Sequence, residues 1–332
     1  MTAATARIPL NTFAIGFGLA GLAEVWDTAG TSLGFPREIG QSFWLAAAIA
    51  WVWLIVAHVV RGSRSGDSLA AQLRHPAQGP IASLVPTTAM LLASELLTVS
   101  RPAGLALFLV SVTASALFAG WLIGTWLQGG LLLDSIHGGY LLPTVAAGLV
   151  GADVAGQAGL TTLGWALFGV GAFFWLVMTV LVVLRLALRP SLPDPLVPTV
   201  MILVAPPAVG GIALFSLGGL AVSIGAAMLL GLTVLLVLVQ LAFLPRYRRL
   251  TFSLGFWSFT FAIAAVLTDG ILWLRLTAVA GWQIFTIILA LASTALVVAI
   301  AIRSLLLVLP VRRERAAEDT LTDADAVDAL VP

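Results

Sequence analysis

Long apolar stretches follow one another along almost the whole of this chain, and each is close to the length that a bilayer requires. A transmembrane helix needs about 20 predominantly apolar residues. Ten stretches meet that requirement, at residues 9–26, 41–60, 79–98, 103–127, 139–156, 161–186, 198–217, 219–244, 252–274 and 279–309. Only 9% of the 332 residues are charged, whereas soluble domains carry about 25%. The sequence therefore predicts an all-α integral membrane protein with ten transmembrane helices.

The chain is expected to contain one folded unit. We predict a ten-helix transmembrane domain over residues 1–310 and an acidic, polar tail over 311–332 that is disordered. The connections between helices are short apart from 27–40, 61–78 and 187–197. The amino-terminal residues run straight into the first apolar stretch without a small-residue cleavage site, which favours a retained helix over a signal peptide.

The distribution of arginine predicts the orientation. With the amino terminus inside, thirteen of the sixteen basic residues fall in cytoplasmic segments. The outer side holds Arg37, Arg101 and Arg275. Cytoplasmic loops carry such an excess, so both termini are predicted to be cytoplasmic.

Proline divides the ten predicted helices into two kinds. The third, fifth and seventh contain Pro86, Pro143 and the pair Pro206–Pro207, whereas the even-numbered helices contain none inside their spans. Proline removes a backbone hydrogen bond and bends a helix. The pattern favours five hairpins around a central pore, each with a bent inner helix and a straight outer one. Proline is common in membrane helices generally. The alternative that these prolines say nothing about which helices lie inside therefore stays open at this point.

Few ionisable residues lie inside the predicted spans, chiefly Glu24, Glu95 and Asp269. Acids within a membrane are candidates for function because burying them is costly. Glu95 and Asp269 are therefore candidate pore-mouth or proton-coupling groups. Arg101 and Arg275 follow them within a few residues, however, and ion pairs at the membrane surface are the competing structural interpretation.

Several function classes find no support in the sequence. There is no cysteine, which excludes disulfides and thiolate chemistry. The histidines His58, His75 and His137 lack a second ligand at helical spacing, so no metal site is predicted. No nucleophile–base pair or phosphate-binding loop is present, and a net charge of +1 argues against nucleic acid. We predict a protein that is not an enzyme and holds no cofactor.

The remaining candidates for a solute path are hydroxyl groups and aromatic rings on odd-numbered helices. The ninth stretch stacks Phe256, Trp257, Phe259 and Phe261 into two turns, and a bulky ring can close a pore by a hydrophobic constriction. Packing between helices is the alternative for any one of these rings. Candidate pore-lining residues are Phe13, Thr87, Thr144, Thr199 and Ser258. Hydroxyl donors and helix dipoles without fixed cations suit a weakly held small anion, although such hydroxyls also join helices to one another.

Five segments in order resemble the tellurite-resistance/dicarboxylate transporter family, which includes bacterial TehA-type channels, fungal malate and sulfite transporters and plant slow-type anion channels. The segments are HPAQGPIASLVPTTAMLLASELL (75–97), WLQGG (126–130), YLLPTVAAGLVGA (140–152), PTVMILVAPPAVG (198–210) and FWSFTFA (256–262). The resemblance implies five hairpins around a pore, a homotrimer, and a ninth-helix phenylalanine that occludes the pore, matching Phe261. It makes Pro86, Pro143 and Pro206 the bends that shape the conduit. Ala262 departs from the Pro or Gly that often follows this phenylalanine, which implies a straighter ninth helix.

The sequence thus predicts a plasma-membrane anion channel or channel-like transporter with a gate at Phe261. A proton-coupled transporter of C4-dicarboxylate, sulfite or tellurite is the alternative, with Glu95 or Asp269 as the titrating group. A third hypothesis is a scaffold or sensor that transports nothing and binds a partner through its acidic tail. Chloride, nitrate, sulfite, tellurite and dicarboxylate are not distinguished by hydroxyls and phenyl rings.

Overall fold

Helices form all the regular structure in the part of the chain that the computed structural model describes, residues 7–328, with side chains to Leu307. Nine of its helices are long and apolar enough to cross a membrane. A further helix, Ala14–Leu33, has 20 residues but is less apolar because it carries Glu24 and Asp27. The predicted all-α membrane fold with ten spans is confirmed.

Ten long helices and one short one follow each other along the chain. They are α1 (Ala14–Leu33), α2 (Arg37–Ser65), α3 (Leu69–Arg74), α4 (Leu84–Val99), α5 (Arg101–Leu127), α6 (Ala147–Gln157), α7 (Thr161–Leu188), α8 (Ala205–Gly218), α9 (Ile224–Tyr247), α10 (Ser258–Thr277) and α11 (Trp282–Asp328).

The helices form five hairpins arranged as two concentric layers. We call α1, α4, α6, α8 and α10 the inner helices; they contact each other in that order and close into a ring between α10 and α1. Each is followed by an outer helix that packs against it, in the pairs α1–α2, α4–α5, α6–α7, α8–α9 and α10–α11. The predicted arrangement, with odd-numbered spans inside and even-numbered spans outside, is confirmed.

Burial separates the two layers. In the inner span Gly138–Gln157, 94% of the most apolar window is buried, against 11% in the outer span Ile224–Tyr247. The exposed side chains of the outer helices are largely Leu, Val and Ile. Because lipid tails are as apolar as these side chains, the outer layer is suited to face a bilayer.

Every inner helix is preceded by a stretch wound more tightly than an α-helix. These 3₁₀ segments are Leu10–Phe13, Gly79–Ser83, Gly138–Leu141, Asp194–Val204 and Leu254–Trp257, and a π-helical turn, Leu142–Ala146, follows the third. Pro86, Pro143 and Pro206 lie in the first three residues after these segments. The first and fifth inner helices, α1 and α10, follow their 3₁₀ segments without a proline at the junction. Proline therefore marks some of the junctions and is not required for one.

Polar side chains reinforce two of these junctions. Gln240 on α9 donates from Nε2 to the carbonyl oxygen of Val200 at 3.1 Å, inside the longest 3₁₀ segment. His137 is fully buried and lies just before the third segment. Its Nδ1 accepts from the Gly139 N–H at 3.1 Å, which leaves Nε2 to donate to the Ala77 carbonyl at 3.2 Å. Burial lowers the pKa of His137 to about 4, so the ring is neutral at physiological pH.

The helix boundaries differ from the sequence-based prediction in several places. The connection predicted at 27–40 spans only residues 34–36, because α1 continues through its acidic and hydroxyl residues until Gly34 adopts φ +73°. The connection at 61–78 contains α3, capped by Ser68. The backbone of α11 is helical to Asp328 and so includes residues 311–328 of the predicted tail. The division of the chain at residue 310 stays a prediction.

Candidate functional site

A cavity lies within the ring, at the amino-terminal ends of the inner segments. The centres of water-sized molecules can occupy about 80 Å³ of it. All five inner segments contribute to its wall, which is mainly Leu, Ile, Val, Ala and Pro. None of the lining residues is charged, and the polar side chains among them are Asn11, Thr199, Trp257 and Ser258. The five hairpins therefore surround a neutral, largely apolar cavity.

Two phenylalanine rings line this cavity, each at the fourth residue of its helix. Phe261 on α10 and Phe17 on α1 stack with their ring centroids 3.7 Å apart and their planes at 24°. Both side chains are almost fully buried, at 6% and 4% exposure. Gly21 provides the room for this arrangement, since an added Cβ there would lie 2.9 Å from Phe261 Cδ2. The pair thus fills the space where α1 and α10 approach each other.

The structure brings together some of the residues singled out from the sequence and separates others. Phe261, Pro206, Thr199 and Ser258 line the cavity, as does Ala262, which continues α10 without a break. The following candidates are buried or partly buried in the described chain but do not line it: Phe13, Pro86, Thr87, Pro143 and Thr144.

The side chains outside the wall have other surroundings. Phe13 packs against His58, with ring centroids 5.5 Å apart. The Thr87 hydroxyl donates to the carbonyl of Ser83 at 2.7 Å, the last residue of the 3₁₀ segment before its own helix. The Thr144 hydroxyl is buried without a partner in the described residues.

Acidic residues collect on the other half of the ring, toward the carboxyl ends of the inner helices. Asp269 is 1% exposed, and its Oδ1 has no hydrogen-bond partner among the described residues. Asp153 on α6 accepts from Ser216 and from Gln157. Glu24 on α1 is partly buried.

The ion pairs that would have made Glu95 and Asp269 ordinary surface anchors are not formed. Among the residues whose side chains are described, the salt bridges are Arg189–Asp134 at 3.6 Å and Arg246–Asp194 at 2.8 Å. Glu95 instead accepts from Gln41 Nε2 at 3.2 Å. Arg101 donates to the Ala158 carbonyl at 2.7 Å, because the turn into α5 directs it toward the next hairpin.

Three residues of this site escape the sequence reasoning. Asn11 and Phe17 belong to a first helix in which Phe13 is the candidate pore-lining residue. The 3₁₀ turn at Leu10–Phe13 changes which side chains face the ring. Asp153 lies inside an apolar stretch and could have been found, since a carboxylate there is costly to bury.

A ring of five inner helices around a cavity, enclosed by apolar outer helices, defines a membrane channel or transporter. The chain belongs to the voltage-dependent anion channel family, SLAC1, whose pattern matches residues 7–305. Tellurite resistance protein TehA homolog of Haemophilus influenzae is 24% identical over 260 residues, 78% of this chain and 79% of that protein. S-type anion channel SLAH2 of Arabidopsis thaliana is 22% identical over 304 residues, 89% of this chain but 58% of the plant protein.

Proposed function

We propose that this protein is a plasma-membrane anion channel or channel-like transporter whose conduit is closed by Phe261 resting on Phe17. The stacked pair in the wall of a cavity built by all five inner hairpin halves carries this proposal. A hydrophobic constriction shuts a pore because an ion cannot shed its water there. Removing one ring therefore removes the barrier.

The chemistry of the cavity wall supports an anion as the solute. The wall contains no carboxylate, and it presents hydroxyl and amide groups. The inner α-helices begin at the cavity, so their partially positive amino ends are directed to it. Chloride, nitrate, sulfite, tellurite and C4-dicarboxylate are the solutes considered. The proposal includes cytoplasmic termini, which would place the cavity on the cytoplasmic side of the membrane. It also includes a homotrimer with one conduit in each protomer.

The test is chloride flux through the purified full chain in liposomes. Phe261→Ala is expected to raise flux at least tenfold, equivalent to lowering the barrier by about 1.4 kcal/mol. Phe215→Ala is the matched control. Phe215 lies on inner helix α8 and has the same exposure as Phe261, 6%. Its ring packs edge-on against Trp273, with the ring centroids 5.6 Å apart. A folded Phe261→Ala protein with wild-type flux would remove the gate from the proposal.

The buried acids favour a second candidate, a proton-coupled transporter of a dicarboxylate, sulfite or tellurite. Asp269 and Asp153 are buried without a cation within 4 Å among the described side chains, so protonation is a ready means of neutralising them. Uptake that depends on a pH gradient and is lost in Asp269→Asn or Glu95→Gln would support this function. Uptake indifferent to pH and to both substitutions would exclude it.

A further inference from the structure

A second cavity lies outside the ring, between the carboxyl end of outer helix α5 and the turn that follows α3. Its wall is formed by residues 73–76, by Pro80, by three residues near the end of α5 and by the loop after α5. The centres of water-sized molecules can occupy about 250 Å³ of this cavity, whereas a single water needs about 10–15 Å³. The cavity is therefore large enough for a polar group of several atoms.

The wall carries an arginine that no carboxylate neutralises. Arg74, the last residue of α3, is exposed and has no salt bridge among the side chains that the structure describes. In the next residue, His75, Nδ1 accepts from the Ala77 N–H at 3.1 Å, so Nε2 of the neutral ring carries the proton and is a donor. Asp134, in the loop after α5, pairs with Arg189 at 3.6 Å, and none of the described lining residues is Asp or Glu. This composition favours an anionic ligand.

Aromatic contacts connect the two walls of the cavity. Trp126 of α5 lines one wall and stacks on Tyr140, with ring centroids 4.9 Å apart and planes at 29°. Tyr140 packs edge-on against His137, with ring centroids 5.4 Å apart. His137 Nε2 in turn donates to the carbonyl of Ala77 at 3.2 Å, directly after the opposite wall. The indole of Trp126, which is a third donor, and the turn that carries Arg74 therefore belong to one connected frame.

The rim of the cavity is apolar and exposed. Leu132 lines the cavity and is 71% exposed, and Leu127, next to Trp126, is exposed as well. Both leucines extend the apolar surface of α5, one of the outer helices suited to face lipid. Tryptophan is enriched where a membrane protein passes from hydrocarbon to water. Donors beside such a rim fit an amphiphile better than a free ion, because a free ion would use the donors alone.

We propose that this cavity binds the phosphate headgroup of an anionic phospholipid, with Arg74 as the counter-ion, His75 and Trp126 as further donors, and Leu132 against the start of an acyl chain. This inference goes beyond the proposed function and does not depend on conduction. The guanidinium group matches phosphate oxygens in geometry and charge. The cavity lies beside the 3₁₀ segment that precedes α4, at the end of the bundle that the proposed orientation places in the cytoplasmic leaflet. Anionic lipids collect in that leaflet, and basic pockets there bind their headgroups.

The first experiment measures binding of dioleoylphosphatidylglycerol to the full chain in detergent by native mass spectrometry. Arg74→Gln is expected to raise the dissociation constant of the first bound lipid about tenfold, the size of one hydrogen bond to a charged group. Trp126→Phe keeps the ring that stacks on Tyr140 and removes the N–H, and it should raise the constant about threefold. Arg64→Gln is the matched control, since Arg64 is an exposed arginine at the same end of the bundle that does not line the cavity.

A second measurement distinguishes the lipid from other sources of phosphate. A ligand that binds only the folded state raises the melting temperature, which is compared in dioleoylphosphatidylglycerol, in zwitterionic dioleoylphosphatidylcholine and in sodium phosphate at equal phosphorus concentration. A rise that requires the anionic lipid, persists in Arg64→Gln and is lost in Arg74→Gln supports the site.

Three results would overturn the inference. The first is an equal dissociation constant for the anionic lipid in Arg74→Gln and Arg64→Gln. The second is binding of phosphatidylcholine as tight as that of phosphatidylglycerol, since the cation would then contribute nothing. The third is a rise in sodium phosphate that equals the rise in lipid, which would make the ligand a free anion. Neither readout involves flux, so a failed gate at Phe261 would leave this inference standing.

Discussion

The stack between Phe17 and Phe261 predicts that substitutions at the two positions have interdependent effects on anion flux. If Phe17 holds the Phe261 ring across the conduit, Phe17→Ala should increase anion flux although Phe261 itself is still present. An aromatic pair contributes about 0.5–1.5 kcal/mol beyond the area it buries. Loss of about 1 kcal/mol from the closed state raises the open population roughly fivefold.

The double substitution separates a shared gate from two independent obstacles. Once Phe261 is removed there is no ring for Phe17 to hold, so Phe17→Ala should add little flux in the Phe261→Ala background. Residues in direct contact show such non-additivity, with interaction energies of about 0.5–3 kcal/mol. We expect the sum of the logarithms of the two single-variant flux increases to exceed the logarithm of the double-variant increase, by an amount equivalent to about 1 kcal/mol.

The assay is chloride flux at a fixed gradient in liposomes that contain equal amounts of wild type, each single variant and the double variant. Folding is checked by gel-filtration profile and melting temperature, because a buried phenylalanine truncated to alanine can cost about 3–5 kcal/mol. Phe215→Ala serves again as the control for ring removal on an inner helix. Flux increases that simply multiply in the double variant, or a Phe17→Ala flux no greater than that of Phe215→Ala, would refute the reasoning.

Three further predictions concern the scaffold. His137 has a pKa of about 4 in the folded protein against about 6.5 when unfolded, so between these values only the unfolded state binds the proton. The stabilisation should be complete above pH 6.5, and the unfolding free energy should fall by about 3 kcal/mol as the pH drops to 4. Melting curves of the wild type should show this dependence on pH, and those of His137→Gln should not. Gly18→Ala should destabilise by about 1–3 kcal/mol, because the added methyl group would overlap the Thr260 hydroxyl, whereas Gly120→Ala meets nothing within 4 Å and should leave the melting temperature unchanged. Replacing Gln240 by Leu removes its bond to the Val200 carbonyl and the bond that it accepts from the Tyr247 hydroxyl. The unfolding free energy, measured by denaturation in detergent, should fall by about 1 kcal/mol; an unchanged value would show that neither group needs this partner.

Much of the fold follows from the sequence because a bilayer permits so few solutions. Backbone groups in lipid must be satisfied within the chain, so long apolar stretches become helices. The proline pattern marks three of the five inner helices, and the alternation of inner and outer spans places the other two. Boundaries are less well predicted where polar residues continue a helix, as Asp27 does in α1. Hydropathy measures the apolar span, whereas the helix ends where its backbone hydrogen bonds end.

The site is less predictable than the fold. Phe261 is found through a family resemblance, and nothing in the residues alone distinguishes it from Phe256 or Phe259. Phe17 and Asn11 depend on the winding of one short turn, which decides the side of the ring that each faces. The ion pair considered between Glu95 and Arg101 is not formed, because closeness along the chain does not decide where two side chains point on either side of a turn.

The longest 3₁₀ segment has a consequence for the shape of the conduit. Asp194–Val204 contains 11 residues, which span about 22 Å at the 3₁₀ rise of 2.0 Å but only about 17 Å at the α-helical rise of 1.5 Å. The fourth inner segment, Asp194–Gly218, therefore carries about 5 Å of extra length. A single rewinding of this stretch would shorten one side of the ring and leave the other four in place, so the opening need not enlarge symmetrically.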